Sequence, residues 1–437
     1  MHMNKNEEAV LVPRFRFPEF SEEWESILFG KAFDFQQTNT FSRNQMNTQK
    51  GKVRNIHYGD VLIKYGYVLR DISTIPYVNE DVDTDKYKNS YLQNGDVVIA
   101  DTAEDLTAGK AVEVQNVDCN ILAGLHTMLC RPNEQAAPGF WGYYINSPAY
   151  HNRIIPLITG AKVSSISKSN IIKTSVVTTD FAEQQKIADC LSSLDDLITA
   201  EDKKLEALRV HKKGLMQKLF PAEGQTMPEW RFPEFRDSGE WDKRPLKEIF
   251  YIFQGFAFSS SDSVIDGVRW LKIADVSIQR MNYGAPSYLP IEYKNLYEDY
   301  LVKQGDCVIA LTRPILNGLL KMAMVDKVFE GALLNQRVGK LVTNQNSFFV
   351  YCLLQTPKII NNIEKNISGS EPPNLSTRQI EDINTYIPSI SEQQKIADCL
   401  SCVDDLITEQ VKKIEALRTH KKGLMQGLFP SIEEVGE

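Results

Sequence analysis

The chain has 437 residues, 42% hydrophobic and 24% charged, which is room for two or three domains with proper cores. No apolar run approaches the ~20 residues of a membrane helix. Met1 to Val10 is polar and unlike a signal peptide, so a cytoplasmic protein with no membrane contact is expected. The net charge of -8 argues against general phosphate binding and leaves room only for a local basic surface.

In chain order, Arg16-Phe17-Pro18-Glu19-Phe20 and Trp24 open a first long region, residues 12–180. Within it, a Gly95-Asp96 turn leads into the short apolar strand Val97-Val98-Ile99-Ala100. Residues 181–221 then read as one long helix. Ile187, Leu191, Leu194, Ile198, Leu205, Leu208, Leu215 and Leu219 fall on alternating three- and four-residue steps, interrupted by Glu201 and Lys212. A period of ~3.5 residues held this long marks a coiled-coil seam. Glu183 sits in the first turn, where the helix dipole favours a carboxylate, and Pro221 stops the helix.

After a linker, 222–230, the pattern starts again in a second long region that ends at 388. Arg231-Phe232-Pro233-Glu234-Phe235 and Trp241 repeat the opening, and Gly305-Asp306-Cys307-Val308-Ile309-Ala310 repeats the strand. Residues 389–430 repeat the helix, with its seam from Ile396 to Leu428 interrupted at Gln410 and Lys421. Residues 183–221 and 392–430 agree at 31 of 39 positions at an offset of 209, which chance does not produce. Elsewhere the two long regions are dissimilar. The architecture expected is α+β: two mixed α/β domains separated by two repeated helices.

Charge sets how the helices pair. The first half of the helix carries Asp189, Asp195, Asp196, Glu201 and Asp202; the second carries Lys203, Lys204, Arg209, Lys212, Lys213 and Lys218. Antiparallel copies oppose acid to base, whereas parallel copies oppose like charges. An antiparallel coiled coil within one chain, with a pseudo-two-fold axis, is therefore expected; pairing with a second chain is the alternative.

The chain resembles type I restriction-modification specificity subunits over essentially its whole length. The marks are the Arg-Phe-Pro-Glu-Phe openings, the two Gly-Asp strands, and the run into the second helix through Gly369-Ser370, Asn374-Leu375-Ser376 and Ile387-Pro388 to Glu392-Gln393. The first half departs, with Gly160-Ala161-Lys162 and with Thr179 in place of Pro388. The resemblance implies two target-recognition domains, each reading half of a split, asymmetric site on double-stranded DNA. It further implies helices that hold the domains at fixed spacing and dock two methyltransferase subunits. Those subunits carry the S-adenosylmethionine chemistry, and restriction subunits add ATP-driven translocation and cleavage.

On that reading, donors and cations for DNA are sought among Arg43, Arg54, Lys64, Arg70, Lys162 and Lys168, and among Arg269, Lys272, Arg313, Asn335, Gln336 and Arg337. Tyr65, Tyr67 and His126 are further candidates. Partner docking is expected at the identical repeats of His-Lys-Lys: His211, Lys212, Lys213 and His420, Lys421, Lys422.

No catalytic, cofactor or metal site is expected. Glu371-Pro372-Pro373-Asn374 has the wrong flanking residues for the base-holding loop of an adenine methyltransferase, and phosphate-binding glycine loops are missing from the sequence. Cys399 and Cys402 have no second ligand pair, and Ser193 stands at the matching position of the first helix. Glu201-Asp202-Lys203 becomes Gln410-Val411-Lys412 in the second copy, as suits a helix face. The competing readings are a coiled-coil scaffold without DNA binding and a single-chain restriction-methylation enzyme.

Overall fold

The computed structural model describes residues 11–160, 162–367, 374–375 and 377–431. Met1–Val10, Ala161, Gly369-Ser370, Glu371-Pro372-Pro373 and Ser376 lie outside the described residues. The chain divides into two compact units, one of residues 1–202 with 412–437, the other of residues 203–411. The first unit thus draws on both ends of the chain.

Each unit is built on an antiparallel sheet whose central strand is the Gly-Asp strand. In the first unit the sheet runs Phe33–Gln36, Thr127–Pro132, Val97–Ala100, Ala111–Val114 and Val68–Leu69, with only the last pairing parallel. In the second it runs Phe250–Gln254, Val338–Thr343, Cys307–Ala310 and Met322–Met324, antiparallel throughout. Both central strands are buried at every residue. Val97 and Ile99 face one core cluster while Val98 and Ala100 face another. Cys307 and Ile309 are divided from Val308 and Ala310 in the same way. Apolar packing on both faces is why these strands read as unbroken apolar runs without alternation.

A smaller sheet accompanies each large one. In the first unit Ile121–Ala123 runs parallel to Arg54–Ile56, which pairs antiparallel with Tyr77–Val78. In the second, Leu333–Leu334 runs parallel to Val268–Leu271, which pairs antiparallel with Tyr288–Leu289. A two-stranded ribbon closes each unit just ahead of its helix: Glu25–Leu28 with Ser175–Thr178, and Asp242–Pro245 with Asn384–Ile387.

The two long helices are α1 (Phe181–Leu219) and α2 (Ile390–Gly427). Asp180 caps α1, its carboxylate accepting from the backbone N–H of Ala182 at 2.9 Å and of Glu183 at 3.1 Å. Ser389 at the matching position accepts from Glu392 N–H at 3.4 Å. The first half of α1 and the second half of α2 lie together in the first unit, so the helices run antiparallel there. Arg418 pairs with Asp202 at 2.9 Å, Lys421 with Asp195 and Lys413 with Glu201. In the second unit the second half of α1 meets the first half of α2, and Lys212 pairs with Asp404. Three of the polar interruptions of the seam, Glu201, Lys212 and Lys421, are therefore ion-pairing positions, and polar residues at such positions fix register and orientation.

The helix ends are plugs. Phe429, just beyond α2, is buried in the first unit against Phe140, Tyr144 and Trp24, with ring centroids 5.5–6.3 Å away. Phe220, just beyond α1, is buried in the second unit against Phe349 at 5.3 Å and Trp241 at 6.4 Å.

Candidate nucleic-acid interface

The repeated opening motif has a structural role that its sequence did not disclose. The Arg16 guanidinium grips Glu183 through two hydrogen bonds, both 2.8 Å, and Arg231 grips Glu392 through two of 2.8 and 2.7 Å. Both carboxylates are buried, with side chains 1% exposed. Glu19 and Glu234 add outer pairs to Lys186 and Lys395, at 3.3 and 3.2 Å. The motif therefore bolts the opening of each domain to the first turn of its own helix. A forked, permanently charged guanidinium matches both oxygens of a buried carboxylate. The first-turn position of Glu183 and Glu392 was legible in the sequence; their arginine partners, 167 and 161 residues away, were not.

With this end of each unit committed to the helices, the polar loops gather at one end of the central sheet. In the second unit Ala310 is registered against Val338, so the segments after Ala310 and before Val338 emerge together. Leu311 N–H donates to Arg337 C=O at 2.9 Å. Arg313, Gln336 and Arg337 are exposed there, and the Asn335 side chain accepts from Arg337 N–H at 3.0 Å, shaping the loop. Gln254 reaches the same group, donating to Gln336 C=O at 2.8 Å. Arg313 has a φ of 48°, a left-handed conformation that non-glycine residues seldom adopt. Four of the residues singled out from sequence, Arg313 and Asn335 to Arg337, are thus brought together. They supply the forked cations and side-chain amide that base edges and phosphates call for.

The matching end of the first unit holds different chemistry. Ala100 is registered against Thr127, so Asp101, Thr102 and His126 meet. His126, with φ 54°, lies 3.5 Å from the Asp101 carboxylate and 3.4 Å from the Thr102 hydroxyl. Its ring meets Tyr58 edge-on at 5.4 Å, and Tyr58 packs on His57 at 4.5 Å. Burial pushes the His57 pKa down, and the nearby Arg43 pushes the same way. His57 Nδ1 accepts from Gly59 N–H at 3.2 Å. Ser164–Ser165 pairs with Thr102–Ala103, which brings exposed Lys162 to this end.

The remaining candidates do not converge. Arg43 is half-exposed but held by Asp60 through two 2.8 Å hydrogen bonds. Arg54 lies over the Tyr77 ring at 3.9 Å and donates to Ser73 C=O at 3.0 Å, an internal role. Lys64 donates to the Thr74 carbonyl. Arg70 reaches α1, donating to the Ser192 hydroxyl at 2.6 Å. Lys168 lies over Phe35, Arg269 over Phe329 and Lys272 over Trp270, at 4.5, 3.8 and 3.9 Å. Tyr65 is buried inside the first unit, and Tyr67 lies beside Lys421 of α2.

The docking candidates divide by exposure. The two Lys-Lys pairs are not uniformly exposed. Lys212 and Lys421 have side chains only 13% and 14% exposed, neutralised by Asp404 and Asp195. Lys421 also lies over the Tyr67 and Tyr143 rings, at 4.5 and 5.3 Å. Their identity between the repeats follows from helix pairing. His211, Lys213, His420 and Lys422 are the exposed members. Among the described residues no group of three metal-ligating side chains forms, and no helix is long and apolar enough to cross a membrane.

Two α+β units of one plan, each bolted to a long helix and each carrying polar loops at one sheet end, make this a duplicated-domain protein. The family model of the type I restriction modification DNA specificity domain matches residues 21–209 and 238–417. The chain belongs to that family and carries its domain twice. The MjaVIII specificity subunit of Methanocaldococcus jannaschii is 32% identical over 251 residues, 56% of this chain. The match spans 59% of that relative, less than two thirds of its length. The putative MjaX specificity subunit of the same organism is 25% identical over 82% of this chain and 83% of its own. Among solved structures, a type I restriction-modification S subunit from M. genitalium has a TM-score of 0.58 at 15% identity, covering 97% of this chain and all of that one. A chain from a structural study of assembly and conformational transition in the type I R-M system gives 0.54 at 14%, covering 93% and 97%. At these identities the two structures show a shared fold.

Proposed function

We propose that this chain is the sequence reader of a type I restriction-modification complex, each unit reading one half of a two-part site on double-stranded DNA. The observation that carries the reading is the contrast between junction and loop end. Both units share the Arg–Glu bolt, the aromatic plug and the sheet, yet they present different side chains at the same sheet end. Identical mounts with different heads suit a protein that repeats its attachments and varies what it reads. The chain itself transfers no methyl group and cuts no DNA; those reactions belong to methyltransferase and restriction subunits assembled on it in the cytoplasm. Two methyltransferase subunits dock on the repeated helix segment through His211 and Lys213, and through His420 and Lys422.

Domain exchange tests this reading. Residues 12–180 read one half-site and residues 222–388 the other. Replacing the first segment with its counterpart from a relative, in cells that supply the partner subunits, is expected to change one half of the methylated motif. Sequencing methylated sites in the host reads the outcome, and a change in both halves defeats the proposal.

A further inference from the structure

The loop that leaves the central strand of the second unit folds into a tight hairpin. Ile315 pairs with Leu320 and Leu316 with Leu319. The turn residues Asn317 and Gly318 have φ values of 53° and 72°, the left-handed pair that a two-residue hairpin needs and that Asn-Gly supplies. Successive strand residues face opposite sides. Leu320 turns inward and is fully buried in the core, with Ile315 packed beside it. Leu316 and Leu319 turn outward and are 49% and 37% exposed. Directly opposed residues on one face sit with Cβ atoms about 4.5–5.5 Å apart, so the two leucines form a single apolar knob.

Cations stand at the base of the hairpin. Arg313 precedes the hairpin and is exposed. Lys321 follows it, tied back by its N–H to Pro314 C=O at 2.7 Å. Arg337 lies one strand away across the 2.9 Å hydrogen bond from Leu311. Burial and the neighbouring Arg313 both push the Lys321 pKa down, as expected where two cations share a site. The corresponding stretch of the first unit, 101–110, carries Asp101, Glu104 and Asp105, with Lys110 at the position of Lys321.

We infer that Leu316 and Leu319 form a wedge that the second unit presses into a base step of duplex DNA, while Arg313, Lys321 and Arg337 hold the adjacent phosphates. This rests on the DNA-reading function proposed above and names the element and the mode of contact. An apolar knob with cations at its base matches a polyanion with an apolar interior. Apolar side chains inserted at a base step unstack it and bend the duplex. The hairpin is braced by its turn and by buried Leu320, so little ordering entropy is lost on contact.

The experiment uses the chain assembled with its methyltransferase subunits and a duplex carrying its own methylated sequence. 2-Aminopurine replaces successive bases in and beside the half read by the second unit. Wild type is expected to raise the fluorescence at one step. The Leu316→Ser, Leu319→Ser double variant, whose changes lie on an exposed face, is expected to abolish that rise and weaken target binding about tenfold or more. Leu316→Met with Leu319→Met is expected to retain both. Unchanged affinity and fluorescence in the serine variant overturn the wedge. So does loss of methyltransferase binding with DNA binding intact, which makes the hairpin a protein contact. If wild type selects no DNA sequence at all, the sequence-reading function fails and takes the wedge with it.

Discussion

The two junctions of this molecule repeat the same arginine–glutamate fork, whereas the two sheet ends share no such arrangement. At the junctions Arg16 with Glu183 and Arg231 with Glu392 repeat one geometry. Even the outer pairs, Glu19 with Lys186 and Glu234 with Lys395, recur. At the sheet ends the first unit has a half-exposed histidine beside Asp101 at the position where the second has Arg337, and a loop with three carboxylates corresponds to an apolar hairpin flanked by cations. At the junctions the sequence repeats because side chains meet other repeated side chains, and at the sheet ends it diverges. The lesson is that a repeated residue can be structural: Lys212 and Lys421 are identical because they pair with Asp404 and Asp195.

The comparison breaks first at the bolts. Removing one partner of a buried ion pair strands the other charge, at about 3–5 kcal/mol. Arg231→Ala is expected to cost more than Arg16→Ala. In the first unit the Thr179 hydroxyl still donates to Glu183 at 2.6 Å, while the extra donor to Glu392, Trp241 Nε1, is at 3.4 Å. Urea denaturation of the intact chain followed by tryptophan fluorescence measures both. Losses below about 1 kcal/mol would reduce the bolts to ordinary surface pairs.

A smaller effect sharpens an asymmetry. Glu113 is buried in the first unit and accepts from the backbone N–H groups of Gly139 at 2.6 Å and Gly142 at 2.9 Å. Burial raises its pKa despite those donors. At the matching strand position the second unit has Met324. A raised folded-state pKa means that Glu113 stabilises the fold most when protonated, fully so below its ordinary value of 4.5. That contribution is lost as pH rises through the raised value. The stability of wild type relative to Glu113→Gln is therefore expected to fall from acidic to neutral pH in paired denaturation curves. A difference that stays constant with pH shows that the group does not titrate in this window.

The smallest effect on the fold separates docking from pairing. Lys213→Glu with Lys422→Glu changes exposed residues and is expected to leave stability within about 0.5 kcal/mol. It is also expected to weaken co-purification with a methyltransferase subunit. Lys212→Glu with Lys421→Glu sets like charges against Asp404 and Asp195 and is expected to destabilise the chain itself. If both double variants behave alike in stability and assembly, the division drawn between them fails.

Much of this was legible in the chain. The near-identical helices, their antiparallel sense and the two central strands follow from periodicity and charge order, because a long seam and a doubly buried strand each leave a local pattern. Of the DNA candidates, Asn335-Gln336-Arg337 was visible as a polar run, but its meeting with Arg313 depends on strand register. Arg54 and Arg70 look like Arg337 in the sequence, and only packing spends them on Tyr77 and Ser192. In the sequence the buried glutamates read as helix-dipole partners and their arginines as part of a repeat, without the link between them.

By itself the sequence determined that this protein is duplicated, which segments are fixed, and that its helices carry complementary charge along their length. The tertiary structure alone decided which charges are spent internally, which loops share a sheet end, and that Phe220 and Phe429 seal cores beyond the ends of their helices. The physical reason is range. Helical period and strand burial are written within a few residues, whereas an ion pair between Arg16 and Glu183 joins groups 167 residues apart. Nothing local in the chain ties those two together until the fold excludes water from between them.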